Sequence, residues 1–286
     1  MFILLNVIIR QSFDTMKNIL LTIATVMLTL SCAQDKSSKI LVLYYSQTGN
    51  TKAVAEQIAT QIKADIEEIL PTDPYNGDFK ETIDRCQKEM EQGVIPSIKP
   101  LNSSIKDYDV IFIGYPVWFG TYAPPVTALL STVDLSGKKI VPFCTFGSGG
   151  LDSSIRDLKA KQPNAEVLPG YGVRAARMDA VPQELDRFLK ENGFIEGEYE
   201  KYEDFSEVRP VTEEEAAIFD AAVGNYPMIH ATATNVSSRA VTGGTEYLFE
   251  ADDIPGNPEF ADMARTIKVY VLDLEGKDPE FTQVIR

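Results

Sequence analysis

From Lys39 onward the chain alternates short apolar runs with segments whose apolar positions recur at helical spacing. The runs Ile40 to Tyr45, Ala64 to Ile69, Asp109 to Gly114, Lys139 to Phe146 and Glu166 to Leu168 predict strands. Between them, Lys52 to Lys63, Gly77 to Gln92, Pro124 to Ser131 and Asp152 to Lys161 predict helices, and Pro182 to Asn192 predicts another after the last strand. Val110-Ile111-Phe112-Ile113 and Ile140-Val141-Pro142-Phe143 are almost wholly apolar, as in strands covered on both faces. Five strands alternating with helices predict an α/β fold with a doubly wound parallel sheet. Right-handed crossovers then make the loops at the carboxyl ends of the strands the binding edge.

The pattern changes after about residue 196. Glu196 to Arg209 is polar, acidic and rich in Tyr, and reads as a linker. Thr212 with Glu215 makes a capping box for a helix running to about Val223, closed by Gly224. Ile229 to Val236, Ala240 to Glu250, Thr266 to Leu274 and Phe281 to Ile285 then predict antiparallel strands. The expected organisation is a first domain over 39–195, a linker over 196–209 and a smaller α+β domain over 210–286.

The amino-terminal stretch carries a separate message. A basic start at Met16-Lys17, an apolar core from Ile19 to Leu30 and small residues at Ser31-Cys32 predict an export signal over 1–31. The core is short for a membrane span, which takes about 20 residues. The segment resembles a bacterial lipoprotein signal, although Thr29 stands where leucine is usual. That resemblance implies lipidation at Cys32 and attachment to a membrane of the bacterial cell envelope, on the periplasmic side or at the cell surface. Cys86 falls in a helical run and Cys144 in a strand, so two separate thiols are expected.

Charge narrows the partners. The 286 residues carry 27 Lys and Arg against 42 Asp and Glu, a net charge of −15, which repels nucleic acid and favours basic protein partners. The one histidine, His230, is remote from the first domain, so neither a Ser-His-Asp triad nor a His-rich metal site can be built there.

Candidate chemistry lies in three loops at predicted strand ends. In the first, Ser46, Thr48, Gly49, Asn50 and Thr51 follow a strand and precede a helix, the arrangement in which N–H groups, hydroxyls and a helix N-terminus cradle an anion. Without an internal lysine it suits one terminal phosphate better than a triphosphate. The second holds Pro116, Val117, Phe119 and the only tryptophan, Trp118, offering an aromatic face to a flat ligand. The third, Gly147, Ser148, Gly149 and Gly150, lets backbone approach a ligand closely.

Together these loops resemble those of the flavodoxin family, in order and spacing, over roughly Lys39 to Gly193. The resemblance is to short-chain members and implies a sheet order of 2-1-3-4-5. It implies FMN as cofactor, with Ser46 to Thr51 on its phosphate, Pro116 to Phe119 along the flavin and Gly147 to Gly150 at the other edge. It further implies redox work, in which electrons pass to a redox partner protein or a quinone-like small molecule. An acidic chain with uncharged loops is expected to disfavour the anionic reduced flavin. The later part faintly resembles the cystatin fold, with Ala240 to Tyr247 where that family's hairpin lies; Ala240 and Thr242 break the inhibitory pattern, leaving a sheet that docks a protein partner. The rival reading is a lipid-anchored scaffold that no longer uses FMN.

Overall fold

The computed structural model describes residues 38–224, 226–253 and 265–286. The predicted export segment and Cys32 lie outside the described residues.

Lys39 to Arg286 forms one compact unit containing two sheets. The strands of the first are β1 (Ile40–Tyr44), β2 (Asp65–Glu68), β3 (Val110–Trp118), β4 (Thr121–Tyr122), β5 (Lys139–Phe146), β6 (Glu166–Val167) and β7 (Tyr171–Arg174). They follow the order β2-β1-β3-β5-β6, with β7 also on β5 and β4 on β3. All pairs are parallel except the β3–β4 hairpin. The helices are α1 (Asn50–Ile62), α2 (Phe79–Glu91), α3 (Pro124–Thr132), α4 (Leu151–Lys161) and α5 (Val181–Glu191).

Side chains alternate across the sheet with the strand period of two. Leu41, Leu43, Ile111, Ile113 and Ile140 point to the side where Val126, Leu129 and Leu158 of α3 and α4 pack. Val42, Phe112, Val141 and Phe143 point to the side covered by Val54 and Ile58 of α1 and Val181, Leu185 and Leu189 of α5. Each such buried side chain contributes roughly 1.5–3 kcal/mol. This two-faced burial is why the strand sequences read as unbroken apolar runs.

Two elements differ from the expected pattern. The fifth strand is divided, because Pro169 lacks the N–H needed for a continuous ladder on β5; β7 resumes the pairing at Tyr171. The second loop is a hairpin in which β3 runs on to Trp118 and returns through β4.

The second sheet has the order β12-β11-β10-β9-β8 and is antiparallel, with strands at Arg209–Pro210 (β8), Ala231–Val241 (β9), Gly244–Asp253 (β10), Arg265–Leu274 (β11) and Glu280–Ile285 (β12). Helix α6 (Glu213–Val223) begins with the expected capping box at Thr212 and Glu215. Its Phe219 and Val223 pack on Val236, Phe249, Val269 and Phe281. Residues Ser237 to Arg239, left between two predicted strands, belong to β9, where Arg239 pairs across the strands with Glu246 at 2.6 Å. The turn falls at Thr242-Gly243, where Gly243 takes a φ of +79°.

Residues 196–208 lie between the two sheets in sequence and are pinned by side chains. Arg187 and Arg239 sit over the Tyr202 ring, and Phe205 packs edge-on against Tyr270. Cys86 and Cys144 are buried and unbonded. Among the described residues no helix is long and apolar enough to cross a membrane.

Candidate functional site

The first loop leaves β1 at Tyr44 and enters α1 at Asn50. Gly49 is the residue before the helix and has a φ of +95°, a left-handed conformation that costs glycine nothing. No side chain at that position caps the helix, and the first N–H groups of any helix lack intrahelical acceptors. Ser46 Oγ accepts from the N–H groups of Gly49 and Lys52, each at 3.2 Å. Thr48 and Gly49 are exposed, and Asn50 is half-buried. The result is an open ring of donors with the positive end of α1 behind it, suited to a phosphate monoester. Thr51 is different: it is 1 % exposed, and its hydroxyl pairs with that of Thr145 at 2.8 Å. That pair ties the first loop to the end of β5, just before the third loop.

In the second loop Phe119 and Gly120 form the two-residue turn between β3 and β4, with φ of +50° and +81°. Paired positive φ values are those of a type I′ hairpin, where asparagine and glycine are the usual residues. A phenylalanine there is strained, and its ring is 51 % exposed. Trp118 is half-buried and meets Tyr45 and Tyr75 edge to face, at centroid distances of 5.9 and 5.3 Å. The open aromatic surface in this loop is therefore that of Phe119. Beside it, Thr121 Oγ1 is buried without a hydrogen-bond partner among the described residues. Pro116 and Val117 are half-buried at the end of β3.

Burial raises the hydroxyl pKa of Tyr45 and Tyr75 well above the ordinary tyrosine value, so both stay protonated. Tyr45 donates to Gln47 Oε1 at 2.6 Å, and Gln47 in turn donates to the Tyr75 carbonyl. This chain ties the first loop to the segment between β2 and α2, whose Tyr75 ring in turn meets Trp118 of the second loop.

The third loop, Gly147 to Gly150, ends at α4, where Gly150 has a φ of +117°. It abuts the second loop so tightly that a Cβ on Gly150 would come within 2.5 Å of Val117 Cγ1. Ser153 Oγ donates to the Gly120 carbonyl across the same seam. The three loops thus meet at one edge of the sheet, as their order along the chain suggested.

The second sheet reaches this edge, which the chain pattern did not reveal. The N–H of Val284 in β12 donates to the Ser148 carbonyl at 2.6 Å. Arg286 donates to Ser148 Oγ at 3.2 Å and to the Met228 carbonyl at 2.8 Å. Arg174, at the end of β7, donates to the carbonyls of Gly147 at 2.9 Å and Phe281 at 2.8 Å, with its guanidinium 3.4 Å from the Phe281 ring centre. Burial lowers the Arg174 pKa, but an arginine remains charged at neutral pH. Gln283 donates to Asp152 at 3.1 Å, and Arg177 bridges Glu184 and Glu280, each at 2.8 Å. The third loop is itself uncharged, as expected, but has two guanidinium groups beside it, with Asp152, Glu280 and Asp253 as nearby carboxylates. Arg286 lies 138 positions from Ser148, so no local signal could have joined them. His230 stands apart, its backbone N–H donating to Asp253 Oδ1 at 3.2 Å.

The side chains present fit a flavin mononucleotide: a glycine-led helix end with the Ser46 hydroxyl beside it for the phosphate, an exposed aromatic ring, and an orphaned buried hydroxyl nearby. Comparison with known proteins gives a match to the flavodoxin family model over residues 39–185. A presumed flavoprotein from Bacteroides eggerthii is 33% identical, over 52% of this chain and 97% of its own, with a TM-score of 0.46. One from Bacteroides uniformis is 27% identical, over 53% and 99%, with a TM-score of 0.47. A flavoprotein from Lactobacillus acidophilus solved in complex with FMN is 25% identical, over 52% and 97%, with a TM-score of 0.45.

Proposed function

The chain belongs to the flavodoxin family, and from that premise we propose that it is an FMN-binding redox protein, carrying electrons or reducing small acceptors such as quinones. The observation that carries this reading is the glycine-led N-terminus of α1, with Ser46 Oγ folded over its first turn, opening beside the other two loops. Ser46, Thr48, Gly49, Asn50 and Thr51 would hold the phosphate through N–H groups and the Ser46 and Thr48 hydroxyls. Phe119 would cover one face of the ring, with Pro116, Val117 and Trp118 alongside, and Gly147 to Gly150 would border its edge. FMN, when bound, supplies the one- or two-electron chemistry. The protein's part is to exclude water with the Tyr45, Tyr75 and Trp118 cluster and to set the charge around the ring.

Export and lipid attachment at Cys32 belong to the same proposal, resting on the Met16 to Cys32 pattern. The place of action would then be the cell envelope, with a redox protein or quinone-like molecule as partner. The scaffold alternative has one observation in its favour, the cover that β12 lays over the third loop.

Titrating the purified protein with FMN separates these readings. Micromolar or tighter binding, with a shifted flavin absorption band and a raised thermal midpoint, supports the redox reading; a colourless protein with an unmoved midpoint leaves the scaffold. Steady-state NADH oxidation by the loaded protein then distinguishes a reductase from a carrier.

A further inference from the structure

We propose that the second sheet is part of the flavin site itself: β12 holds the third loop in place, and Arg286, together with Arg174, makes the border of the ring cationic and favours the reduced, anionic flavin. The inference rests on the FMN reading above, and carries it from occupancy to redox tuning.

The geometry has two components. The first is a hold on the backbone. Val284 N–H takes the Ser148 carbonyl, and Gly149 lies so close to β12 that a Cβ there would overlap the Val284 carbonyl oxygen. Arg174 joins the Gly147 carbonyl to that of Phe281, so loop and strand share one guanidinium. Farther out, Arg177, only 6 % exposed, ties Glu184 of α5 to Glu280 of β12. A loop with three glycines has many conformations open to it, and these bonds select one.

The second component is charge. Oxidised FMN takes up two electrons and, when only N5 is protonated, one proton, leaving a reduced ring with one added negative charge. A cation beside the ring stabilises that product more than the neutral oxidised ring, whereas a neutral loop would not. The whole chain at −15 opposes the same anion, but charges beyond a Debye length of about 8–10 Å are screened, so the nearest groups dominate. Those are Arg174 and Arg286, offset in part by Asp152, by Glu280 near Arg174 and by Asp253 near Arg286. The two arginines come from separate places, β7 of the first sheet and the end of β12 in the second.

The test measures the affinity of the full chain for oxidised FMN and, by equilibration with reference dyes under dithionite, for reduced FMN. Arg286→Gln keeps a donor for Ser148 and loses the charge. It should weaken reduced FMN relative to oxidised by about fivefold, which is about 20 mV for a two-electron couple. Arg286→Glu should roughly double that shift, Arg286→Lys should retain the wild-type ratio, and the differences should shrink in high salt. If wild type binds FMN and the ratio is unchanged in both the Gln and Glu variants, the charge role is wrong while the FMN reading stands. If wild type binds no FMN, both fall.

Discussion

The N–H of Val284 donates to the carbonyl of Ser148 at 2.6 Å, joining the edge strand of the antiparallel sheet to a loop of the parallel sheet. Gly149→Ala puts a methyl against the backbone oxygen of Val284, which cannot swing aside as a side chain could. We expect a loss of about 1–3 kcal/mol in urea unfolding, with weaker FMN binding. Equal stability and affinity in the variant would show that β12 does not hold the loop.

Phe119 sits at a φ of +50° with its ring half in water, a conformation that costs the fold about 1 kcal/mol. Phe119→Asn should therefore raise stability by roughly 0.5–1 kcal/mol while lowering FMN affinity about tenfold. A variant that is more stable and binds FMN equally well would move the stacking role to another side chain.

Thr51 and Thr145 share a buried hydroxyl pair at 2.8 Å. Thr51→Val leaves the Thr145 oxygen without its partner and should cost about 1–3 kcal/mol. Replacing both by valine should recover much of that loss, since no donor or acceptor is then stranded. A double mutant as unstable as the sum of the two single changes would disprove the coupling, and denaturant midpoints suffice to decide.

Thr48 is exposed in the first loop, the proposed anion cradle, and its side chain makes no hydrogen bond among the described residues. Thr48→Glu should leave the thermal midpoint of the FMN-free protein unchanged and reduce FMN affinity by more than tenfold, because two negative groups would face each other. Unchanged affinity would place the phosphate elsewhere.

Glu215 is held at a pKa of about 2, first by its bonds to Arg209 and then by those to Thr212, against the opposing effect of burial. A depressed carboxylate stabilises the fold fully above its ordinary pKa of 4.5, and that contribution disappears as pH falls toward 2. With Arg209 half-exposed and screened by water, Glu215→Gln should cost about 1–2 kcal/mol at pH 7. The gap between wild type and variant should close between pH 4.5 and 2 in denaturation series.

Much of the parallel half was readable along the chain because its signals are local. Val110 to Ile113 announces a strand buried on two faces whatever it touches, and a glycine before a helix announces an anion cradle. Boundaries were less legible where a cross-strand contact decides them: Ser237 to Arg239 fall between two predicted strands along the chain, yet belong to β9, where Arg239 pairs with Glu246 across the ladder. The four-residue β7 was hidden for a similar reason, since Tyr171-Gly-Val-Arg becomes a strand only by pairing with β5. In the second loop the chain showed that aromatics gather, and only the folded packing, with Trp118 against Tyr45 and Tyr75 and Phe119 left 51 % exposed, showed which ring faces outward.

By itself the sequence determined the α/β class, the place of the three loops at one sheet edge, and the uncharged donors of the cradle. Those follow from hydrophobic period and from residues within a few positions of one another. The tertiary structure decided that β12 closes over Ser148 and that Arg174 and Arg286 stand beside that loop. Such contacts join residues 27 to 138 positions apart, and electrostatic surroundings depend on distance in space, which one-dimensional pattern does not encode.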